Sequence, residues 1–319
     1  MEKEISLSYI MTTRNKLPYL KEVMKRLMEN IKPDEEIVVI DAASTDGSVK
    51  YLEELHTLGK IHQFVSEQDF GESHGFNKGF FLAKGSLIKL LSDDDVFCYD
   101  SIQKCKQFML TNDSFDCITG GIASLRLNSL EINEFIIAKE YELSFTDWIN
   151  KKTDTCFFGG LALMIRRSSL TKLGLLDLSY THVDLEYCTR LTFLKSRIAY
   201  YTALHVIALR NDQSKSVTTK NDVLKNEWNR VDYYYNKTLV PLSDYTSLAL
   251  LKIITIRIIK KLKKIMTSNQ YKNNSTDSSR NESFNFLKPK YNSIEDLFSD
   301  CDNLLRDYNN SIEPKFIYE

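Results

Sequence analysis

The feature that most narrows what this chain can fold into is a regular alternation of apolar, β-branched runs with helix-patterned stretches over its first 111 residues. Residues 36–41 read EIVVID, whose central β-branched run is of the kind that a strand shows when both its faces are buried. Residues 6–11 form a short apolar run, and residues 61–66 and 87–91 supply two more strands. Between them, residues 18–30 carry Leu20, Val23, Met24 and Leu27 on one helical stripe. Asp46 is placed to cap a helix running to about Leu58, residues 73–84 predict a third helix, and Asp100 or Ser101 starts another that ends near Thr111. Strands alternating with helices predict βαβ units and a Rossmann-like, mainly parallel sheet flanked by helices. Ligands of such sheets sit outside the carboxyl ends of the strands.

The second half is less regular. Residues 132–141 read as one or two strands, and residues 156–165 as a strand carrying Gly159-Gly160. Residues 167–173, 184–196 and 223–237 predict helices, and residues 198–201 and 206–210 two short strands. Residues 247–266 form a basic, apolar helix with Leu248, Leu251, Ile254, Ile258, Leu262 and Ile265 on one stripe. Residues 267–283 are rich in Ser, Asn and Asp and read as a flexible linker, and residues 294–308 predict a last amphipathic helix. With 319 residues, the chain divides into an α/β unit over 1–240, with halves 1–115 and 116–240, and a helical C-terminal extension over 241–319.

Composition removes several function classes. The net charge of −1 gives no basic surface for neutralising nucleic-acid phosphates. Six cysteines occur without CxxC or Cys–His zinc spacing, which predicts reduced, buried thiols in a cytosolic protein. The N-terminus has no signal-peptide pattern and no run of 18 apolar residues occurs, so a spanning helix is not expected.

The sharpest local signal is Asp93-Asp94-Asp95 directly after the fourth strand. Adjacent carboxylates repel one another unless a cation shares their site. Hard oxygen ligands suit Mg²⁺ or Mn²⁺ held partly by a phosphorylated substrate. The same residues also read as a solvated acidic turn. Asp41 stands at the carboxyl end of the second strand, where open α/β sheets bind nucleotides.

Four motifs then stand in order from Ile5 to Arg210: Thr13-Arg14-Asn15-Lys16, the run from Ile40 to Ser48, Ser66 to Gly71 followed by Phe76-Asn77-Lys78-Gly79, and the Asp triplet. Together they resemble the inverting family 2 glycosyltransferases, with the TxN[RK], second-strand, SExDxG…NKG and DxD motifs of the glycosyltransferase A-type fold. The resemblance implies that Thr13 and Asp41 hold the base and ribose of a nucleotide-sugar, UDP-linked by this family's habit, and that Asp69 and Lys78 lie near its nucleotide or diphosphate. It implies that Asp93 faces the ribose or metal-bound waters and that Asp94 coordinates Mn²⁺ or Mg²⁺. Ser92 replaces the first acid of the DxD, which leaves Asp95 a competing ligand.

The family's acidic helix start is matched by Val183-Asp184-Leu185-Glu186 and Arg190, so Asp184 is the implied general base that deprotonates an acceptor hydroxyl. Glu186, two residues on, does not share its helical face. The same residues also read as an acidic helix start favourable to the dipole. His205 reads as a structural residue. The implied activity is transfer of a sugar, with inversion, to a glycan or lipid-linked glycan in bacterial surface polysaccharide synthesis, such as lipopolysaccharide or capsule. The 247–266 helix can lie on an anionic membrane surface, which places the protein in the cytoplasm or peripherally on the inner face of the membrane. The competing readings are a non-catalytic nucleotide-sugar-binding scaffold and a nucleotidyltransferase. The latter calls for a Gly-rich phosphate loop that Met11-Thr12-Thr13-Arg14-Asn15 lacks.

Overall fold

A computed structural model describes residues 4–211, 214–236 and 288–319. In chain order the elements are β1 (Leu7–Thr13), α1 (Leu17–Asn30), β2 (Glu35–Asp41), α2 (Ser48–Thr57), β3 (Gln63–Ser66), α3 (Glu72–Leu82), β4 (Leu87–Leu91), β5 (Val96–Phe97) and α4 (Tyr99–Thr111). There follow β6 (Cys117–Asn128), β7 (Glu131–Ile137), α5 (Lys139–Ile149), β8 (Met164–Arg166), α6 (Leu170–Leu173), α7 (Val183–Phe193), β9 (Ile198–Arg210), α8 (Lys215–Thr218), α9 (Asn221–Val231), α10 (Ile294–Ser311) and β10 (Phe316–Ile317).

All ten strands join one mixed sheet in the order β10-β9-β6-β8-β4-β1-β2-β3, with β5 added to β9 and β7 to β6. The β4-β1-β2-β3 part is wholly parallel, as the βαβ pattern predicts. Its register sets Thr13 opposite Asp41 and Met11 opposite Leu91. The turns that follow these strands therefore leave along one edge, on either side of the point where strand order reverses. β8 runs antiparallel to both β4 and β6 and joins the two halves.

The continuous apolar runs are explained by burial on both faces. Tyr9, Met11, Ile37 and Val39 enter a core beneath α1, α2, α4 and α10. Ile10, Val38 and Ile40 enter a second core with Phe76, Phe80, Phe145 and Tyr187. α10 packs Leu297, Phe298, Cys301, Leu304 and Leu305 into the first of these cores. Arg26 of α1 holds Asp302 at 2.6 Å and lies 5.0 Å from the Phe298 ring. The final residues thus complete the sheet and its helical layer.

Several boundaries differ from the sequence reading. Residues 139–141 belong to helix α5, because strand pairing with β6 stops at Ile137. Of residues 156–165, only Met164 and Ile165 lie in a strand; Gly160–Ala162 is a 3₁₀ turn that draws the backbone off the sheet. The two short strands of 198–210 are one long strand, paired with β6 on both sides of an irregularity at Gly120-Gly121. The expected helix at 247–266 and linker at 267–283 lie outside the described residues. Among the described residues no helix is long and apolar enough to cross a membrane. No disulfide forms among the six cysteines, five of which are buried.

α3 approaches β1 unusually closely because Gly75 and Gly79 share the helix face turned towards it. A Cβ at Gly79 would stand 2.2 Å from Ile10 Cγ2, and one at Gly75 would stand 2.8 Å from Thr12 Cγ2. Ile10 is fully buried in the sheet's core. Gly79→Ala should therefore destabilise the protein by about 1–3 kcal/mol through overpacking, although alanine is the better helix former. Urea unfolding measures this directly; a variant as stable as the parent would show that α3 can move off the sheet without penalty.

Candidate active site

The site grows from the strand edge. After β1, Asn15 adopts a positive φ of 54°. Its N–H donates to Ser44 Oγ at 2.9 Å and its Oδ1 accepts from the Thr45 N–H at 2.7 Å, locking the β1 and β2 turns together. Asp46 accepts from the Leu17 N–H at 2.8 Å and the Ser48 N–H at 3.0 Å, so a single carboxylate braces the starts of α1 and α2. Asp41 is fully buried. Its Oδ2 accepts from the Ser44 N–H at 3.0 Å and from Ser66 Oγ at 2.7 Å. Its Oδ1 has no hydrogen-bond partner among the described residues, a buried acceptor that a bound donor group would satisfy.

The acidic run leaves β4 beside these turns. Asp93 Oδ2 lies 3.4 Å from the Arg14 N–H, and Asp94 forms an ion pair with Lys16 in which both side chains are largely buried. Asp95 is engaged on both oxygens, accepting from Ser92 Oγ and, at 2.7 Å, from the Leu209 N–H of β9. Burial, reinforced by the charge of Asp94, raises the pKa of Asp93 and of Asp95. Burial pulls the Lys16 ammonium down, but Asp94 outweighs it and holds Lys16 above the usual lysine value. The cluster therefore demands positive charge.

Among the described residues no three His, Cys, Asp or Glu side chains converge as a metal cage. The donor set suits instead a hard divalent ion that takes one or two carboxylates and fills its remaining positions with phosphate oxygens and water. Asp93 and Asp94 fit that role, and the oxygens of Asp95 are committed to the protein.

Asp69 accepts from the Gly71 N–H at 2.9 Å, and a Cβ on Gly75 would stand 3.5 Å from its Oδ2. Lys78 Nζ lies 2.7 Å from Glu67 Oε1. Asn77 exchanges two hydrogen bonds with the backbone of Leu176, at 2.8 and 2.9 Å, and so ties α3 to the segment that leads into α7.

Asp184 lies in the first turn of α7. Its Oδ2 accepts from the Gly160 N–H at 3.1 Å. A Cβ on Gly160 would fall 2.6 Å from the Asp184 Cβ, so this approach requires glycine. Burial raises the Asp184 pKa, opposed by the Gly160 bond and the charges of His182 and Arg210. Glu186 instead forms a bidentate pair with Arg190, at 2.8 and 3.1 Å, and accepts from Tyr235. The Asp95–Leu209 bond anchors β9 at the residue before Arg210, which links the acidic run to the surroundings of Asp184.

Sequence reasoning missed Lys16 as the partner of Asp94, the bracing by Asn77, and Lys89. The Lys89 side chain is fully buried in β4, donates to Leu161 O and to Leu163 O at 3.4 Å, and lies 5.4 Å from the Phe97 ring. It has no carboxylate partner among the described residues, and burial lowers its pKa to about 7. His205 is also fully buried; burial and then the charge of Lys89 lower it to about 3, so it stays neutral and structural.

The fold and this edge define a transferase of the glycosyltransferase A type. The chain belongs to glycosyl transferase family 2, whose model matches residues 8–174. It is 23% identical over 223 residues to TuaG of Bacillus subtilis (strain 168), a glycosyltransferase provisionally assigned to teichuronic acid biosynthesis, covering 70% of this chain and 82% of that one. Its fold is similar to that of S. aureus TarS 1–349 in complex with UDP-GlcNAc, with a TM-score of 0.53 and 12% identity over 98% of this chain and 96% of that chain. Another similar structure is the mannosyltransferase PcManGT from Pyrobaculum calidifontis in complex with GDP-Man and Mn²⁺, with a TM-score of 0.47 and 18% identity over 64% of this chain and 56% of that chain.

The folded value of Lys89 lies below its unfolded one, so the unfolded chain binds one more proton between about pH 7 and the ordinary lysine value near 10.4. Wild-type stability should carry a rising contribution across that window, at most about 1.4 kcal/mol per pH unit. Lys89→Met removes it, so the stability of the variant relative to wild type should improve as pH falls from 10 to 7. Chemical denaturation at several pH values checks this; parallel curves would mean that Lys89 is charged in both states throughout.

Proposed function

We propose that the protein transfers one sugar from a UDP-linked donor to a hydroxyl of a glycan or lipid-linked glycan, inverting the anomeric centre, in the synthesis of a bacterial surface polysaccharide. The observation that carries this reading is Asp184: a half-buried carboxylate, raised in pKa, held by the Gly160 N–H, and linked through β9 to the acidic strand edge. Membership of family 2 and the likeness to TuaG support the reaction class and its polysaccharide setting.

In this reading Thr13 and Asp41 bind the base and ribose, the unpartnered Asp41 Oδ1 accepting from a donor group. Asp69 and Lys78 lie along the nucleotide and diphosphate. Asp93 and Asp94 would hold the divalent ion, Mn²⁺ or Mg²⁺, with Asp95 keeping the turn in place. Bound there, the ion offsets charge on the leaving diphosphate. The acceptor oxygen attacks the anomeric carbon from the face opposite the diphosphate. Asp184 takes the hydroxyl proton as that bond forms, and the bond to the diphosphate oxygen breaks. Lys16, already beside Asp94, adds positive charge next to the departing group.

Two measurements test the reading. Asp94→Asn should abolish the Mn²⁺-dependent part of UDP binding, measured by calorimetry with and without EDTA; unchanged affinity would remove the metal from this cluster. Asp184→Asn should lower turnover by about 10²–10⁴-fold with little change in UDP affinity. Glu186→Gln should instead lower stability, because it disrupts the Arg190 and Tyr235 contacts. An inactive Glu186→Gln beside an active Asp184→Asn would reverse the assignment. The raised Asp184 pKa also moves the acid limb of the rate profile above the pH at which an ordinary aspartate titrates, since the base must lose its proton before it can act.

A further inference from the structure

Glu227 lies on α9, beyond the residues matched by the family model. It is a buried carboxylate, 4% exposed, and it spends its bonding capacity on two consecutive residues at the entrance to α7. It accepts from the Thr181 N–H at 2.6 Å, the His182 N–H at 3.1 Å and His182 Nδ1 at 3.0 Å. His182, the residue at the N-cap of α7, makes no side-chain capping bond of its own. Glu227 therefore closes the start of the helix that bears Asp184. Burial raises the Glu227 pKa, but the Thr181 and His182 bonds outweigh it and keep the carboxylate below its ordinary value.

The bond also orients the imidazole. Because Nδ1 faces a carboxylate, the neutral ring carries its proton there and keeps the Nε2 lone pair as an acceptor. The ring remains partly accessible, at 19% of its side-chain surface. It stands at the N-cap of the helix whose first turn carries Asp184. Nε2 has no hydrogen-bond partner among the described residues.

We propose that His182 is a further acceptor-binding residue, and that Glu227 is the positioning residue that fixes it. This rests on the transferase reading above. Asp184 takes the proton of the attacking hydroxyl while His182 Nε2 accepts a hydrogen bond from the neighbouring hydroxyl. The chemical class this selects is a sugar acceptor with a vicinal diol.

The test uses the full-length protein, Mn²⁺, a donor panel of UDP-glucose, UDP-galactose and UDP-GlcNAc, and p-nitrophenyl glycosides of glucose, galactose and N-acetylglucosamine as acceptors. His182→Ala should raise the acceptor KM about tenfold or more, with a smaller change in kcat and unchanged UDP affinity and melting temperature. His182→Gln, whose amide oxygen can accept the same bond, should recover part of that loss. Glu227→Gln should raise the acceptor KM in the same direction as His182→Ala. An acceptor KM unchanged in His182→Ala, in a wild-type protein that transfers sugar, would overturn this inference alone. No transfer by the wild type from any donor to any glycoside would overturn the transferase reading and this inference with it. A His182→Ala variant that loses UDP affinity and melts early would assign the pair to the fold, which also overturns the proposal.

Discussion

Three consecutive carboxylates leave β4 at the middle of the sheet, and much of the surrounding structure is arranged to tolerate them. Asp95 is held by hydrogen bonds from Ser92 and from the Leu209 N–H, the second of which fastens β9 to the end of β4. Asp94 takes the ammonium of Lys16, which fixes the turn after β1. Asp93 is left with a weak contact from the Arg14 N–H and a raised pKa. Like charges at this separation are sustained where cations are expected to bind. The same edge holds Asp41 with one oxygen unpartnered, so binding potential is concentrated where β1, β2 and β4 end together.

The second half of the site is built by close approach rather than by charge. Gly160 lets its backbone N–H reach Asp184, and Asn77 ties the helix behind Lys78 to Leu176, upstream of α7. Lys89 holds the carbonyls of Leu161 and Leu163 from beneath. These contacts fix the position of a half-buried carboxylate whose pKa is raised by desolvation.

The parallel half of the fold was legible because EIVVID and LIKLL are buried on both faces, and such strands announce themselves by continuous apolar runs. β6 was not, because Gly120-Gly121 interrupts its pattern; a Cβ on Gly120 would stand 2.3 Å from His205 Nε2, so the glycine answers to packing across the sheet. β9 read as two strands because what holds its middle is distant, with the Leu204 N–H donating to Asn309 and the Thr202 N–H to Lys315 O. The acidic run, Asp41 and Asp184 stood out by residue type and position in their motifs. Lys16 with Asp94, Asn77 with Leu176 and Glu227 with His182 did not, because these partners lie 78, 99 and 45 residues apart and no local pattern joins them.

The central claim is a single displacement at the anomeric carbon, with Asp184 as the base. Proton NMR of the first-formed product, from an α-linked UDP-sugar and either an accepting glycoside or water, measures it most directly. The account predicts a β-configured product before mutarotation. An α-configured first product would contradict it, because retention requires a second displacement that a lone base does not provide.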